Sequence, residues 1–238
     1  MNGANRTGLT FVIACLGRTG STHLVSLLDS HPDIRCFGEL FTHHEGTLDE
    51  AFVTSPIDDP VDYVAQLTAP LTERAIGFKL PLNSIRAHPE ALRVLEGDQM
   101  RIVRLRRLNL LALLASRRLL ASTRVPQSTH GDYGDATVEI DPKQALAVFR
   151  LSDDHERYLD ELADGRPVFQ ITYEDLAAGR DLDDLQVFLG VDPVPLKSMF
   201  KRVRSRPLSD TIENWAEMED ALRGTPYERF LEDDLQLR

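Results

Sequence analysis

The sequence predicts an α/β fold with a central, mainly parallel sheet flanked by helices. Three observations lead there. Residues 10–16 (TFVIACL) form a continuous apolar run rich in β formers, the pattern of a strand buried on both faces. That run feeds a glycine-containing turn and then leucines at helical spacing, Leu24, Leu27 and Leu28. Short apolar runs then alternate with helical segments, as a parallel sheet with crossover helices requires.

The elements follow in order. After the first strand comes Gly17-Arg18-Thr19-Gly20-Ser21, then a helix over 22–28 that stops near Ser30-His31-Pro32-Asp33. A second strand covers 75–80 and ends at Pro81, which cannot continue a central ladder. The third, 101–105, carries Ile102, Val103 and Leu105. Residues 109–120 are so dense in leucine that the helix they form must be buried on most sides. Pro126, Gly131, Gly134 and several Ser and Thr make 121–139 a long loop, a kind usually functional or mobile. Asp141-Pro142 is a helix start, with Asp as cap and Pro in the first turn. That helix carries Phe149, Tyr158, Leu159 and Leu162 towards Gly165. A fourth strand covers 168–172, a helix over 182–189 is closed by Gly190, and an acidic helical tail spans 210–235. No internal repeat or low-complexity linker divides the chain, so residues 1–238 are expected to form one domain.

Composition excludes several classes of function. A hydrophobic fraction of 42% with 27% charged residues is that of a globular protein. No apolar run approaches the ~18 residues of a membrane span, and residues 1–9 have no signal-peptide core. A cytoplasmic location is expected. Cys15 and Cys36 belong to no C-x-x-C pair or zinc-spaced cluster, so both are expected to be buried small hydrophobes, with no metal site. The net charge of −11 weighs against nucleic acid as a partner. Yet Arg101, Arg104, Arg106, Arg107, Arg117, Arg118 and Arg124 crowd one stretch, and Lys201, Arg202, Arg204 and Arg206 another. Local basic patches on an acidic chain suit a compact, highly charged anion.

The first strand–turn–helix junction, L-G-R-T-G-S-T from Leu16 to Thr22, is the most informative feature. The backbone N–H groups of such a turn and of the helix start point at one spot and favour an anion there. Gly17 and Gly20 allow close approach, Thr19, Ser21 and Thr22 add hydroxyls, and Arg18 adds charge. A nucleotide-triphosphatase loop, G-x-x-x-x-G-K-S/T, does not fit. Cys15 stands where its first glycine belongs, and Ser21 replaces its lysine.

The chain resembles PAPS-dependent sulfotransferases (PAPS, 3′-phosphoadenosine 5′-phosphosulfate), in particular the bacterial carbohydrate-type enzymes that include the Nod-factor and trehalose sulfotransferases. R-T-G-S-T followed by H-L-x-x-L-L-D-S-H-P-D-I is similar to the family's 5′-phosphosulfate loop and first helix. G-E-L-F (38–41), G-F-K-L (77–80), L-R-R-L-N-L-L-A-L-L-A-S (105–116), T-Y-E-D-L (172–176) and R-P-L-S-D-T-I-E-N-W (206–215) match further segments in order. The resemblance implies a P-loop-like, three-layer sulfotransferase fold and no metal requirement.

Arg106 and Arg107 lie at the C-terminal end of a predicted parallel strand, where open α/β sheets bind ligands, and Ser116 lies in the helix after it. Together they can clamp a phosphate that the first loop does not reach. The family places an arginine eight residues before the serine; that position here is Leu108, so Arg107 is the first choice and Arg106 the second. Glu39, expected in a loop beside Phe37, Leu40 and Phe41, is the candidate general base, since an apolar setting raises a carboxylate towards useful values. The resemblance to the trehalose-type enzymes supports that role. His43 and His44 are the alternatives; the histidine that classical cytosolic members carry after the second strand's lysine is missing, and His88 is too distant. Lys79 can reach a transferring sulfuryl group from the sheet edge. Tyr173 corresponds to a tyrosine that contacts adenine in relatives. Lys201, Arg204 and Arg206 are further candidates for the 3′-phosphate.

The expected reaction is in-line sulfuryl transfer from PAPS to an alcohol of a small molecule or glycan, driven by positioning and electrostatics. Two other readings stay open: an ATP-dependent small-molecule kinase with a degenerate loop, and a non-catalytic nucleotide-binding protein on the same fold. Segments 41–60 and 121–139 are expected to shape the acceptor pocket. The sequence leaves self-association open.

Overall fold

The computed structural model describes residues 9–41, 59–97, 100–125, 133–200, 204 and 206–232. Its strands are β1 (Leu9–Cys15), β2 (Ile34–Glu39), β3 (Ala75–Pro81), β4 (Met100–Arg106) and β5 (Val168–Thr172). They form one all-parallel sheet in the order β2-β3-β1-β4-β5. The run 10–16 thus becomes the central strand, and Phe11, Val12, Ile13 and Cys15 are wholly buried.

Three helices follow strands directly: α1 (Ser21–Asp29) after β1, α2 (Pro60–Thr68) between β2 and β3, and α3 (Leu82–Ala87) after β3. A 3₁₀ helix at Pro89–Glu96 leads into β4. Two long helices, α4 (Leu110–Thr123) and α5 (Pro142–Ala163), join β4 to β5. The chain ends in α6 (Tyr173–Ala177), α7 (Leu182–Phe188), α8 (Leu208–Thr211), α9 (Trp215–Leu222) and a 3₁₀ turn at Glu228–Leu231.

Alternation along the strands divides the core. Val12, Ile76, Phe78, Leu80 and Ile102 pack with α2, α3 and the C-terminal half of α5 on one face. Phe11, Ile13, Cys15, Val103 and Leu105 pack with α1 and α7 on the other. A third cluster joins α4 and the start of α5 to α8 and α9. Gly77 is required by close approach, because a Cβ there would lie 2.4 Å from the Phe11 ring.

Several expectations need correction. Strand β2 was not foreseen: its short run contains Arg35 and Gly38, which obscure the alternation, and it lies at the sheet's edge. Glu39 therefore ends a strand instead of sitting in a loop. Helix α2 was not foreseen; it starts on Asp59-Pro60, the same signal as Asp141-Pro142, at the end of the stretch 41–60 expected to be irregular, and Asp59 accepts from the N–H groups of Val61 and Asp62. The helix read as ending at 120 runs to Thr123. The tail is broken into α8, α9 and the 3₁₀ turn, because Asn214 and Gly224-Thr225-Pro226 interrupt the pattern. Both cysteines are buried and unbridged, as expected, and burial pushes both thiols up. No helix among the described residues is long and apolar enough to cross a membrane.

Candidate active site

The connection after β1 leads towards β2, and the connection after β4 leads towards β5, on opposite sides of the sheet. The crevice between the C-terminal ends of two such strands is where open α/β sheets bind ligands. The predicted loop stands there. Arg18 and Gly20 both adopt left-handed backbone, φ 71° and 85°. That conformation suits Gly20 but is strained for an arginine, as happens where a loop must present its amides. Thr19 is buried and ties the turn together by donating to the Leu16 carbonyl at 2.8 Å. No side chain caps the first N–H groups of α1.

The two arginines expected around this loop reach it from different directions. Arg18 donates through Nε to Ser116 Oγ on α4 at 3.1 Å and through an Nη atom to the Tyr133 hydroxyl at 3.0 Å. Arg107, just beyond β4, donates to the Arg18 carbonyl at 3.3 Å. Its guanidinium lies 4.3 Å from the centroid of the Tyr173 ring, and that ring also packs against Gly20, where a Cβ would sit 2.6 Å from Tyr173 Cδ2. Tyr173 thus lies between the first loop and Arg107, where the resemblance implied an adenine platform.

Arg106 points the other way, into ion pairs with Asp160 and Glu156 on α5. Side-chain alternation accounts for this: Arg104 and Arg106 face α5 together, and fully buried Arg104 joins the same two carboxylates and the Ala14 carbonyl. Burial pushes the Glu156 carboxyl up, against the pull of Arg104 and Arg106.

Glu39 and Lys79 meet across the β2–β3 ladder. The register shifts between Phe37 and Glu39, so that Glu39 pairs with Lys79. Such a bulge re-aims the side chain that follows it. Lys79 Nζ stands 2.8 Å from one Glu39 oxygen, and buried Ser84 on α3 donates to the other at 3.4 Å. The side chains are only 12% and 17% exposed. Glu39 therefore faces an ammonium instead of the apolar setting expected. Lys79 lies on β3, which pairs with β1, the strand that carries the first loop at its C-terminal end, with Ile13 opposite Lys79.

Site residues thus come from the C-terminal ends of all five strands. Across the sheet they run Glu39, Lys79, the loop 17–22, Arg107 and Tyr173. His43, His44, Lys201 and Arg202 lie outside the described residues. Arg204 donates to the Arg206 carbonyl, and Arg206 pairs with Asp135 at 3.6 Å. Among the described residues no three His, Cys, Asp or Glu side chains stand together as a metal cluster.

Sequence reasoning missed three contributors. Tyr133 is a lone aromatic between Gly131 and Gly134, which was the available signal. Ser84 had none. Glu174 lies in the T-Y-E-D-L segment; buried, its carboxylate accepts from the N–H groups of Leu108 and Asn109 at 3.1–3.2 Å, fixing the turn behind Arg107.

The fold recurs in known proteins. The sulfotransferase domain from the curacin biosynthetic pathway superposes with a TM-score of 0.52 at 18% identity, over 79% of this chain and 75% of that one. The sulfotransferase domain of the Synechococcus PCC 7002 olefin synthase gives 0.51 at 19% identity, over 97% and 92%. The chain has the sulfotransferase fold. It is also 22% identical over 232 residues to Nodulation protein H of Rhizobium tropici, covering 94% of this chain and 93% of that protein. No protein-family model matches. The chain resembles the sulfotransferase family along nearly its whole length.

Proposed function

We propose that the chain, acting as one domain over residues 1–238, is a sulfotransferase that uses PAPS to sulfate a hydroxyl of a small molecule or glycan. The observation that carries this reading is the row of groups across the sheet's C-terminal edge. A carboxylate, an ammonium, an uncapped anion loop whose Arg18 is held by Ser116, and a second arginine, Arg107, follow one another in strand order.

The residues fit the donor's charge pattern. The loop amides with Thr19, Ser21 and Thr22 form one anion cradle, left open at Gly17, where a Cβ would meet nothing within 4 Å. Arg107 and Ser116 form a second, across Arg18, suited to the 3′-phosphate. Tyr173 seats Arg107, and Arg106 serves α5 instead of the nucleotide. When bound, the donor supplies an electrophilic sulfuryl group and a bisphosphate leaving group.

Glu39 accepts the proton of the acceptor hydroxyl. Lys79, which neutralises Glu39 in the free protein, is within one side chain's swing of the loop and can hold charge on the sulfuryl oxygens. Arg18 stabilises the leaving oxygen while Ser116 and Tyr133 fix its guanidinium. Ser84 keeps the second carboxylate oxygen oriented. The likeness to the curacin and olefin-synthase sulfotransferase domains, and to Nodulation protein H, supports the same reading.

Thermal unfolding with nucleotides tests it. Adenosine 3′,5′-bisphosphate at 100 times its Kd should stabilise the protein by about 2.7 kcal/mol. Equal or greater stabilisation by ATP with Mg²⁺ would sink the assignment.

A further inference from the structure

The first loop is gripped by its carbonyls. Thr19 donates to the Leu16 carbonyl at 2.8 Å, Arg117 to the Gly17 carbonyl at 3.3 Å and Arg107 to the Arg18 carbonyl at 3.3 Å. Three consecutive peptide groups thus each meet a side-chain donor. Those donors come from the loop itself, from α4 and from the turn after β4. Of the three, Arg117 is the one to which the proposed chemistry gives no task. Helix α4 is buried from Leu110 to Ser116, and half-buried Arg117 comes next. Ser116 holds the Arg18 side chain, while Arg117 holds the backbone just before it. Arg118 is exposed and turns to Gln144 on α5 instead.

The grip has a steric reason. Arg18 stands in the left-handed region at φ 71°. That conformation is unfavourable for a residue with a Cβ and persists only where its surroundings impose it. The backbone angles of Arg18 relate two peptide planes, one starting at the Gly17 carbonyl and one at the Arg18 carbonyl. The second plane is held twice, by Arg107 on its oxygen and through buried Thr19, whose side chain is tied to Leu16. The first has Arg117 as its oxygen's partner among the described residues. In a trans peptide the N–H points opposite to the carbonyl, so the bond to Arg117 turns the Arg18 N–H away from that side chain. Left-handed residues at Arg18 and Gly20, with Thr19 between them, make the kind of turn that gathers N–H groups into an anion-binding hollow. A guanidinium on a carbonyl also polarises the peptide and strengthens its N–H as a donor.

We propose that Arg117 is a positioning residue for the sulfuryl donor, holding the Gly17–Arg18 peptide in the orientation in which the loop receives the 5′-phosphosulfate. This rests on the sulfotransferase reading of the loop. Arg117 acts through the loop's backbone, so its effect belongs to the 5′ end of the donor. A ligand that carries only a 3′-phosphate should be indifferent to it.

Titrations followed by the amide resonances of the loop test it, with inorganic sulfate, adenosine 5′-phosphosulfate and adenosine 3′-monophosphate as probes. In Arg117→Gln the first two should bind about tenfold more weakly, the lower end of what a hydrogen bond to a charged group is worth. Adenosine 3′-monophosphate should bind as it does to the wild type. The Arg18 amide resonance should move in the free variant, because its peptide loses the partner on the carbonyl. Arg118→Gln should behave as the wild type throughout. Unchanged binding of sulfate and adenosine 5′-phosphosulfate by Arg117→Gln overturns the inference, even if the melting temperature falls. An equal loss for all three probes overturns it too, because the arginine would then be structural. So does an equal loss in Arg118→Gln, because any charge at that end of α4 would then serve. A wild-type protein that binds neither nucleotide strikes the parent reading. Sulfate and the Arg18 resonance still decide this one, and a wild-type loop that takes up no sulfate overturns it.

Discussion

Two sets of arginines around the C-terminal ends of β1 and β4 differ in what surrounds them. Arg104 and Arg106 face α5 and meet Glu156 and Asp160. Arg18, Arg107 and Arg117, a few ångströms beyond the strand ends, meet hydroxyls, backbone carbonyls and an aromatic face. The first set is neutralised within the fold and holds β4 to α5. In the second, hydroxyls, carbonyls and an aromatic face orient the guanidinium groups. What looks in sequence like one basic stretch divides between Arg106, which turns to the α5 carboxylates, and Arg107, which turns to the first loop and Tyr173.

Glu39 and Lys79 test the distinction most sharply, since they form an ion pair, like the first set, yet belong to the proposed reaction centre, like the second. Glu39→Gln should reduce turnover by roughly 10²–10⁴-fold, the usual worth of a general base. Adenosine 3′,5′-bisphosphate affinity should barely change, while the melting temperature should fall, because Lys79 loses its carboxylate. Near-normal turnover, alongside an inactive His43→Ala or His44→Ala enzyme, would transfer the role to that histidine.

Arg104→Ala should act on stability alone. It removes the buried arginine and leaves Glu156 and Asp160 to Arg106 alone, and removing one member of a buried ion network costs up to about 3–5 kcal/mol. Urea denaturation should record that loss. Nucleotide affinity, measured well below the transition, should stay close to normal.

Arg107→Ala and Ser116→Ala should weaken adenosine 3′,5′-bisphosphate by about 1.5–3 kcal/mol each, the cost of a lost charged hydrogen bond. Adenosine 5′-phosphosulfate, which lacks the 3′-phosphate, should bind almost as before in Arg107→Ala, and only slightly more weakly in Ser116→Ala, which also removes a hydrogen bond from Arg18. Equal weakening of both nucleotides would put these residues at the other phosphate or make them structural.

The smallest effect belongs to Tyr133. Tyr133→Phe keeps the buried ring and removes one hydroxyl from Arg18. A cost of about 1 kcal/mol in transition-state stabilisation is expected, read as a fall in kcat with little change in stability. A lowered melting temperature with unchanged kcat would show that the hydroxyl serves packing and not Arg18.

Much of this was legible before any coordinates. Periodicity located β1, β3, β4 and β5, because buried parallel strands are nearly continuous apolar runs, and the cap signals placed α5 within a residue or two. The loop from Leu16 to Thr22 declared its own chemistry, since its glycines, hydroxyls and single arginine are contiguous. Strand β2 escaped because an edge strand of six residues with a bulge at Gly38 has too few apolar positions to show a period. Glu174 escaped because nothing local tells that a carboxylate will cap a turn 65 residues away.

The sequence by itself therefore determined the class of fold, the anion loop and the inventory of charged groups, all properties of short contiguous segments governed by local sterics and by burial. The tertiary structure decided which charges cancel. Arg106 and Arg107 are neighbours with the same side chain, and strand alternation alone turns one to α5 and leaves the other at the crevice. It also joined Glu39 to Lys79, through a one-residue bulge that changes which face a carboxylate occupies, and brought Arg86 to His155 across helices 69 residues apart. Coulomb interactions act through space and not along the chain, so pairings of this kind exist only once the sheet and its helices have fixed the distances.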